Sequence, residues 1–204
     1  MKTKENSFFE SPVNVGLVLF AATMILFFVA YYFFADVDYY LTTVKMNAFV
    51  MPFLYAGGAM LSVFAYRKKH LISFPEVFRR AFVPMFIGGL LSLISIYIFF
   101  NHVDTDARDM LSRQGIQTYV ESARTEYEGA KKLNREGGKT GSEEDRELDE
   151  RYKAITEGMA TDEVQNFNYF SPRYVMGFFA LLCLFYLTLS LVFAAFFKTK
   201  KRFE

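Results

Sequence analysis

The chain predicts an all-α polytopic membrane protein: four transmembrane helices with a helical hairpin in the long outer loop between spans three and four. Three observations predict it. Residues 13–35, 46–66, 81–100 and 174–197 contain no Asp, Glu, Lys or Arg. These stretches hold 23, 21, 20 and 24 residues, and a hydrocarbon core of about 30 Å needs about 20 helical residues at about 1.5 Å each. Basic residues also collect on one side of the four stretches. Lipid offers no partner to backbone N–H and C=O groups, so each stretch must be helical to cross. A soluble bundle is excluded by size, since the other 116 of the 204 residues cannot cover 88 apolar ones.

Span one covers residues 13–35. Its apolar run is longer than a secretory h-region, and Phe33, Phe34 and Ala35 lead into Asp36 with no small-x-small site, so it reads as an uncleaved span. No lipid signal precedes it, since Lys2 follows Met1. With 13 Tyr and no Trp in the chain, the interfacial belt falls to tyrosine. Tyr31, Tyr32, Tyr39 and Tyr40 gather at the end of this span, and Tyr66, Tyr169 and Tyr174 at others. Tyr97 and Tyr186 lie deeper and need hydroxyl partners on neighbouring helices.

Orientation follows from the flanks. Lys2, Lys4, Arg67, Lys68, Lys69, Arg79, Arg80, Lys198, Lys200, Lys201 and Arg202 make eleven basic residues on one side, against Lys45 with Asp36 and Asp38 between spans one and two. The positive-inside rule places both termini in the cytoplasm and residues 101–172 outside. The division expected is residues 1–100 with three spans, 101–172 as an extracytoplasmic helical segment, and 173–204 with span four and a basic tail.

Spans two (46–66) and three (81–100) share a loose echo: Pro52 before Gly57-Gly58 and Ser62, then Pro84 before Gly88-Gly89 and Ser92. Small residues four apart let helix backbones approach closely, so Gly57, Gly58, Ser62, Gly88, Gly89 and Ser92 are expected to pack span two on span three. The sharper alternative, a transporter repeat around a substrate site, would call for an intramembrane ionisable residue, and the four stretches contain no Asp, Glu, Lys or Arg.

Between these spans, Ser73-x-x-Glu76 reads as a capping box with Pro75 in the first turn, so a helix starts there and runs into span three. Phe74 and Phe78 share a face, Arg79 and Arg80 are placed to snorkel to the interface, and Glu76 can pair with either arginine. Phe74, Glu76, Phe78 and Arg79 form a candidate docking face. The string Ile72-Ser73-Phe74-Pro75-Glu76-Val77-Phe78-Arg79-Arg80-Ala81-Phe82 resembles the I-S-F-x-E-x-F-K-x-G-F signature of a four-span family widespread in Bacteroidetes and known only as a domain of unknown function. Pro75 stands where Gly is common, and Arg80-Ala81 where a Lys/Ala-Gly pair is common. The resemblance covers nearly the whole chain. It implies a bacterial inner membrane and brings no catalytic residues.

Residues 101–172 carry ten basic and sixteen acidic side chains. Ile116, Tyr119, Val120, Ala123, Tyr127, Ala130 and Leu133 recur at helical spacing and predict a helix over 106–134. Gly137-Gly138-Lys139-Thr140-Gly141 breaks it, and Ser142 with Glu143-Glu144-Asp145 starts a second helix whose stripe is Leu148, Tyr152, Ile155 and Met159. Ile116, Tyr119, Tyr127, Leu148, Tyr152 and Ile155 are candidate docking residues. Gly138-Lys139-Thr140 is not a phosphate loop, because the required earlier glycine is Leu133. His102, Asp104, Asp106 and Asp109 read as helix-start acids rather than a metal site.

Span four (174–197) contains the single cysteine, Cys183, which reads as a small core residue. No catalytic constellation stands out, since His70 and His102 fall on opposite sides of the bilayer. The expected function is a non-enzymatic accessory or scaffold subunit that binds a partner through its outer helices; the alternative is a small transporter or channel component. The expected partners are the lipid bilayer and another protein or a second copy. No nucleic acid, small-molecule ligand, cofactor or metal is expected.

Overall fold

The structure, a computed structural model, describes residues 8–34, 39–68, 70–165 and 167–199. Lys2, Lys4, Asp36, Asp38, Lys69, Lys200, Lys201 and Arg202, on which part of the orientation argument rests, lie outside the described residues, as does Ala35 at the expected end of span one.

All regular structure among the described residues is helical: α1 (Pro12–Phe34), α2 (Tyr39–Lys45), α3 (Met51–Arg67), α4 (Phe74–Ile98), α5 (Thr105–Glu136), α6 (Glu143–Met159), α7 (Asp162–Gln165) and α8 (Pro172–Phe197). Four helical runs are long and apolar enough to cross a membrane: Pro12–Phe34, Tyr39–Arg67, Phe74–Val103 and Pro172–Phe197. The chain is a multi-pass membrane protein.

The second run begins seven residues before the apolar stretch that marks it, because charge delimits what can enter lipid and not what can be helical. A π turn, Met46–Val50, joins α2 to α3, and the Met51 N–H reaches back to the Met46 carbonyl. Pro52, which has no N–H to donate, follows in the first turn of α3, where helix N–H groups lack intrahelical partners. The third run holds 30 residues, about 45 Å of helix. That is about 15 Å more than the hydrocarbon core, so its ends reach headgroup depth.

The chain forms two compact units, Met1–Val103 with Phe170–Glu204, and Asp104–Tyr169. In the first, α4 is central and touches α1, α3 and α8, while α3 also touches α1 and α8. Small residues make this possible. Gly88 and Gly89 of α4 face different neighbours: a Cβ on Gly88 would lie 2.8 Å from Leu19 Cβ and 3.1 Å from the Gly16 carbonyl of α1, and one on Gly89 would lie 2.7 Å from the Tyr186 hydroxyl of α8. Gly58 of α3 also takes Leu19, its would-be Cβ falling 2.6 Å from a Leu19 methyl. Gly58 and Gly88 therefore form a socket for the Leu19 side chain of span one. Of the small residues expected to pack span two on span three, Gly57 meets nothing within 4 Å. Ser62 and Ser92 are buried.

Midway through the bundle the Thr23 and Tyr55 hydroxyls hydrogen-bond at 3.2 Å. The Tyr55 ring stacks on Tyr186, with centroids 5.5 Å apart and planes 5° apart. These contacts join α1, α3 and α8. One end of the bundle is closed by rings: Phe27, Tyr31 and Phe100 surround Phe99 and one another, and Phe100 packs on Phe170. Asn101 Nδ2 donates 3.0 Å to the Phe170 carbonyl, tying together the points where the chain leaves and re-enters this unit.

In the second unit α5 and α6 run antiparallel, as their contacts pair Asn134 with Asp145, Lys131 with Asp149 and Tyr127 with Tyr152. Asp104 caps α5 by accepting the Ala107 N–H, and Ser142 caps α6 by accepting the Asp145 N–H. Gly138 and Gly141 in the intervening turn have φ of 68° and 78°, which only glycine adopts without strain.

Candidate functional site

The opposite end of the first unit carries the densest polar arrangement, and it is built on the Ile72–Phe82 string. Ser73 is the N-cap of α4 by its backbone, but its side chain makes no cap bond. The Glu76 half of the capping box is absent because that carboxylate is engaged elsewhere. Its Oε1 accepts from Arg80 Nε at 2.7 Å and from Arg79 at 3.0 Å. Two guanidinium partners outweigh one neutral backbone N–H, since charge-assisted bonds are roughly twice as strong.

Arg80 departs most from the sequence reading. It does not snorkel outward: its side chain is 7% exposed. A second guanidinium nitrogen donates 2.6 Å to the Glu10 carbonyl, just before α1. The guanidinium carbon sits 3.3 Å from the centroid of the Tyr66 ring on the last turn of α3, and His70 stacks on the same ring at 4.2 Å. Arg80 thus gathers the start of α1, the end of α3 and the start of α4. A buried guanidinium is tolerable only with its charge paired and its donors used, and Glu76, Glu10 and Tyr66 do this. Arg79, one residue earlier, is exposed.

The end of α8 joins the same region. The Thr199 N–H donates 2.9 Å to the Ile72 carbonyl, and the Ile72 N–H donates 3.3 Å to the Thr199 hydroxyl. Ile72 is buried. Lys198 lies 5.8 Å from the Phe74 ring. Of the docking face expected here, Phe74 and Arg79 are exposed, while Glu76 is half-buried in its ion pairs and Phe78 is half-buried and stacks on Phe82.

The other candidate docking residues lie in the second unit, and the structure uses most of them internally. Tyr127 stacks on Tyr152 at 4.4 Å, and its hydroxyl donates 2.8 Å to Asp149. Ile116 is buried, Leu148 and Ile155 are half-buried, and Tyr119 is exposed. The hydrogen bond to Asp149 pushes the Tyr127 phenol up. Lys131 bridges Asp145 at 3.0 Å and Asp149 at 2.7 Å, and these bonds raise it. Asp145 receives the Gly141 N–H, then Lys131 and Asn134, which together hold its carboxyl at about 2. Asp149 is lowered by Lys131 and Tyr127. This seam was only half legible: the apolar stripe marked the two helices, but Lys131 and Asp145 look like solvated charges until the turn brings them together.

Among the described residues no three His, Cys, Asp or Glu side chains gather in a way that could hold a metal ion. The family model described as Protein of unknown function (DUF4199) matches residues 14–199, and the chain belongs to that family. No curated protein and no solved structure matches it.

Proposed function

We propose that this member of the DUF4199 family is a non-enzymatic scaffold subunit of a bacterial inner membrane, with both termini cytoplasmic, that holds a partner protein through its extracytoplasmic α5–α6 hairpin. The observation that carries the reading is the second unit itself. Asp104–Tyr169 is compact in its own right, and its seam of Tyr127, Lys131, Asp145, Asp149 and Tyr152 is satisfied internally. A pre-ordered arm loses little conformational entropy on binding, which favours a docking role. Its recognition surface is then the outward face that includes Tyr119, rather than the seam residues.

Crosslinking and affinity purification from native membranes test the proposal, comparing the intact chain with Tyr152→Ala/Lys131→Ala, which opens the seam. Loss of a specific partner with membrane insertion retained supports docking through this arm; recovery of the same partners contradicts it. Orientation is tested with alkaline phosphatase inserted after Gly141 and a fluorescent protein fused after Glu204. Active phosphatase together with fluorescence agrees with the proposal, and inactive phosphatase refutes the outer placement of the hairpin.

A further inference from the structure

At the last turns of α3 a groove of about 450 Å³ opens, lined by Leu61, Phe64, Arg67 and Lys68. Its composition is graded along the helix. Leu61 is exposed within the apolar run of α3, and the Phe64 ring meets Phe197 of α8 edge-on with centroids 5.0 Å apart. One turn further, Arg67 and Lys68 are exposed where α3 ends.

We propose that this groove is a binding site for one anionic phospholipid. Arg67 and Lys68 take the phosphodiester, and an acyl chain lies along Leu61 and Phe64. The occupant is fixed by charge and depth together. Two cations at the α3 end complement a phosphate, and Arg presents a fork of donors that fits its oxygens. The apolar half has no use for a free phosphate ion but matches a chain attached to one. The site is distinct from the Arg80 cluster, whose guanidinium is already held by Glu76, Glu10 and Tyr66, and it does not depend on which leaflet α3 ends in.

The chain has no Trp, so Met60→Trp, beside Leu61 on α3, supplies a single fluorescent reporter. The full chain is reconstituted in vesicles of equal phosphatidylglycerol and phosphatidylcholine, with bromine on the acyl chains of one lipid or the other. Brominated phosphatidylglycerol is expected to quench the reporter more strongly, reflecting local enrichment on the order of tenfold. The preference is expected to vanish with Arg67→Gln/Lys68→Gln, and to survive Arg79→Gln/Lys198→Gln, which removes the same charge from outside the groove. It is also expected to survive millimolar inorganic phosphate. Leu181→Trp, on the exposed face of α8, should show no preference.

Equal quenching by both lipids at Met60→Trp overturns the proposal. So does equal loss in the two charge variants, which would mean diffuse attraction to the surface, or reversal by inorganic phosphate, which would mean a site for the free ion. Quenching at Leu181→Trp also distinguishes insertion from misfolding, because a chain outside the bilayer is quenched by neither lipid.

Discussion

The Arg80 guanidinium lies over the Tyr66 ring, 3.3 Å from its centroid, and so fastens the start of α4 to the end of α3. A desolvated cation–π contact contributes about 2 kcal/mol. Tyr66→Ala should lose roughly that amount, together with the His70 stack, whereas Tyr66→Phe should stay within about 0.5 kcal/mol because the ring remains. Arg80→Lys should fall between, keeping the charge but not the planar donors that reach Glu76 and Glu10. Reversible unfolding in mixed micelles measures all three; equal stability of Tyr66→Ala and Tyr66→Phe would remove the ring from the account.

Ser73 and Glu76 separate two explanations of the same four residues. A working capping box would make Ser73→Ala cost about 1 kcal/mol. The structure gives Ser73 no cap bond, so that variant should change stability by less than about 0.5 kcal/mol. Glu76→Gln leaves Arg80 buried beside a neutral group and should cost about 3 kcal/mol. The reverse order in thermal shift assays would restore the capping box.

The glycines should rank by what each one faces. Gly88→Ala drives a methyl into the α1 backbone and the Leu19 Cβ, neither of which can turn aside, and should cost about 2–3 kcal/mol. Gly58→Ala meets only the end of the Leu19 side chain and should cost less, while Gly57→Ala meets nothing and should be neutral. Unfolding midpoints that fail to follow this order would contradict the socket.

The α5–α6 seam should be pH-dependent with a definite sign. Asp145 is held at about 2, below its ordinary 3.8, so its contribution is complete above the unfolded value and is lost as pH falls from about 4 through about 2. Asp149, also lowered, acts in the same direction. Amide protection of α6 in lipid nanodiscs, corrected for intrinsic exchange, should decline across that window in the native chain and much less in Asp145→Asn. A native chain with flat protection would mean that the seam contributes nothing.

The four spans were legible because a run without charge is itself the physical requirement for crossing lipid. What misled was treating charge as a boundary of structure. Lys45 and the acids before it end an apolar stretch, yet the helix continues through Lys45. Arg80 looked like an interfacial anchor because sequence shows a cation beside an apolar run but not the Tyr66 ring that covers it. The partners that decide such cases, Glu10 and Tyr66, lie 70 and 14 positions away, and no local pattern records them. The small-residue echo does not say what each glycine meets: Gly58 and Gly88 take Leu19, Gly89 takes Tyr186, and Gly57 meets nothing within 4 Å.

That leucine couples two positions. Because its branched end fills the hollow at Gly58, neither position can change by itself without a penalty: a larger residue at 58 collides, and a smaller one at 19 leaves a void. Leu19→Ala and Gly58→Ala made together would remove the collision but return only one of the three carbons lost, so the pair recovers part of the fit. What either of these two positions tolerates thus depends on the residue at the other.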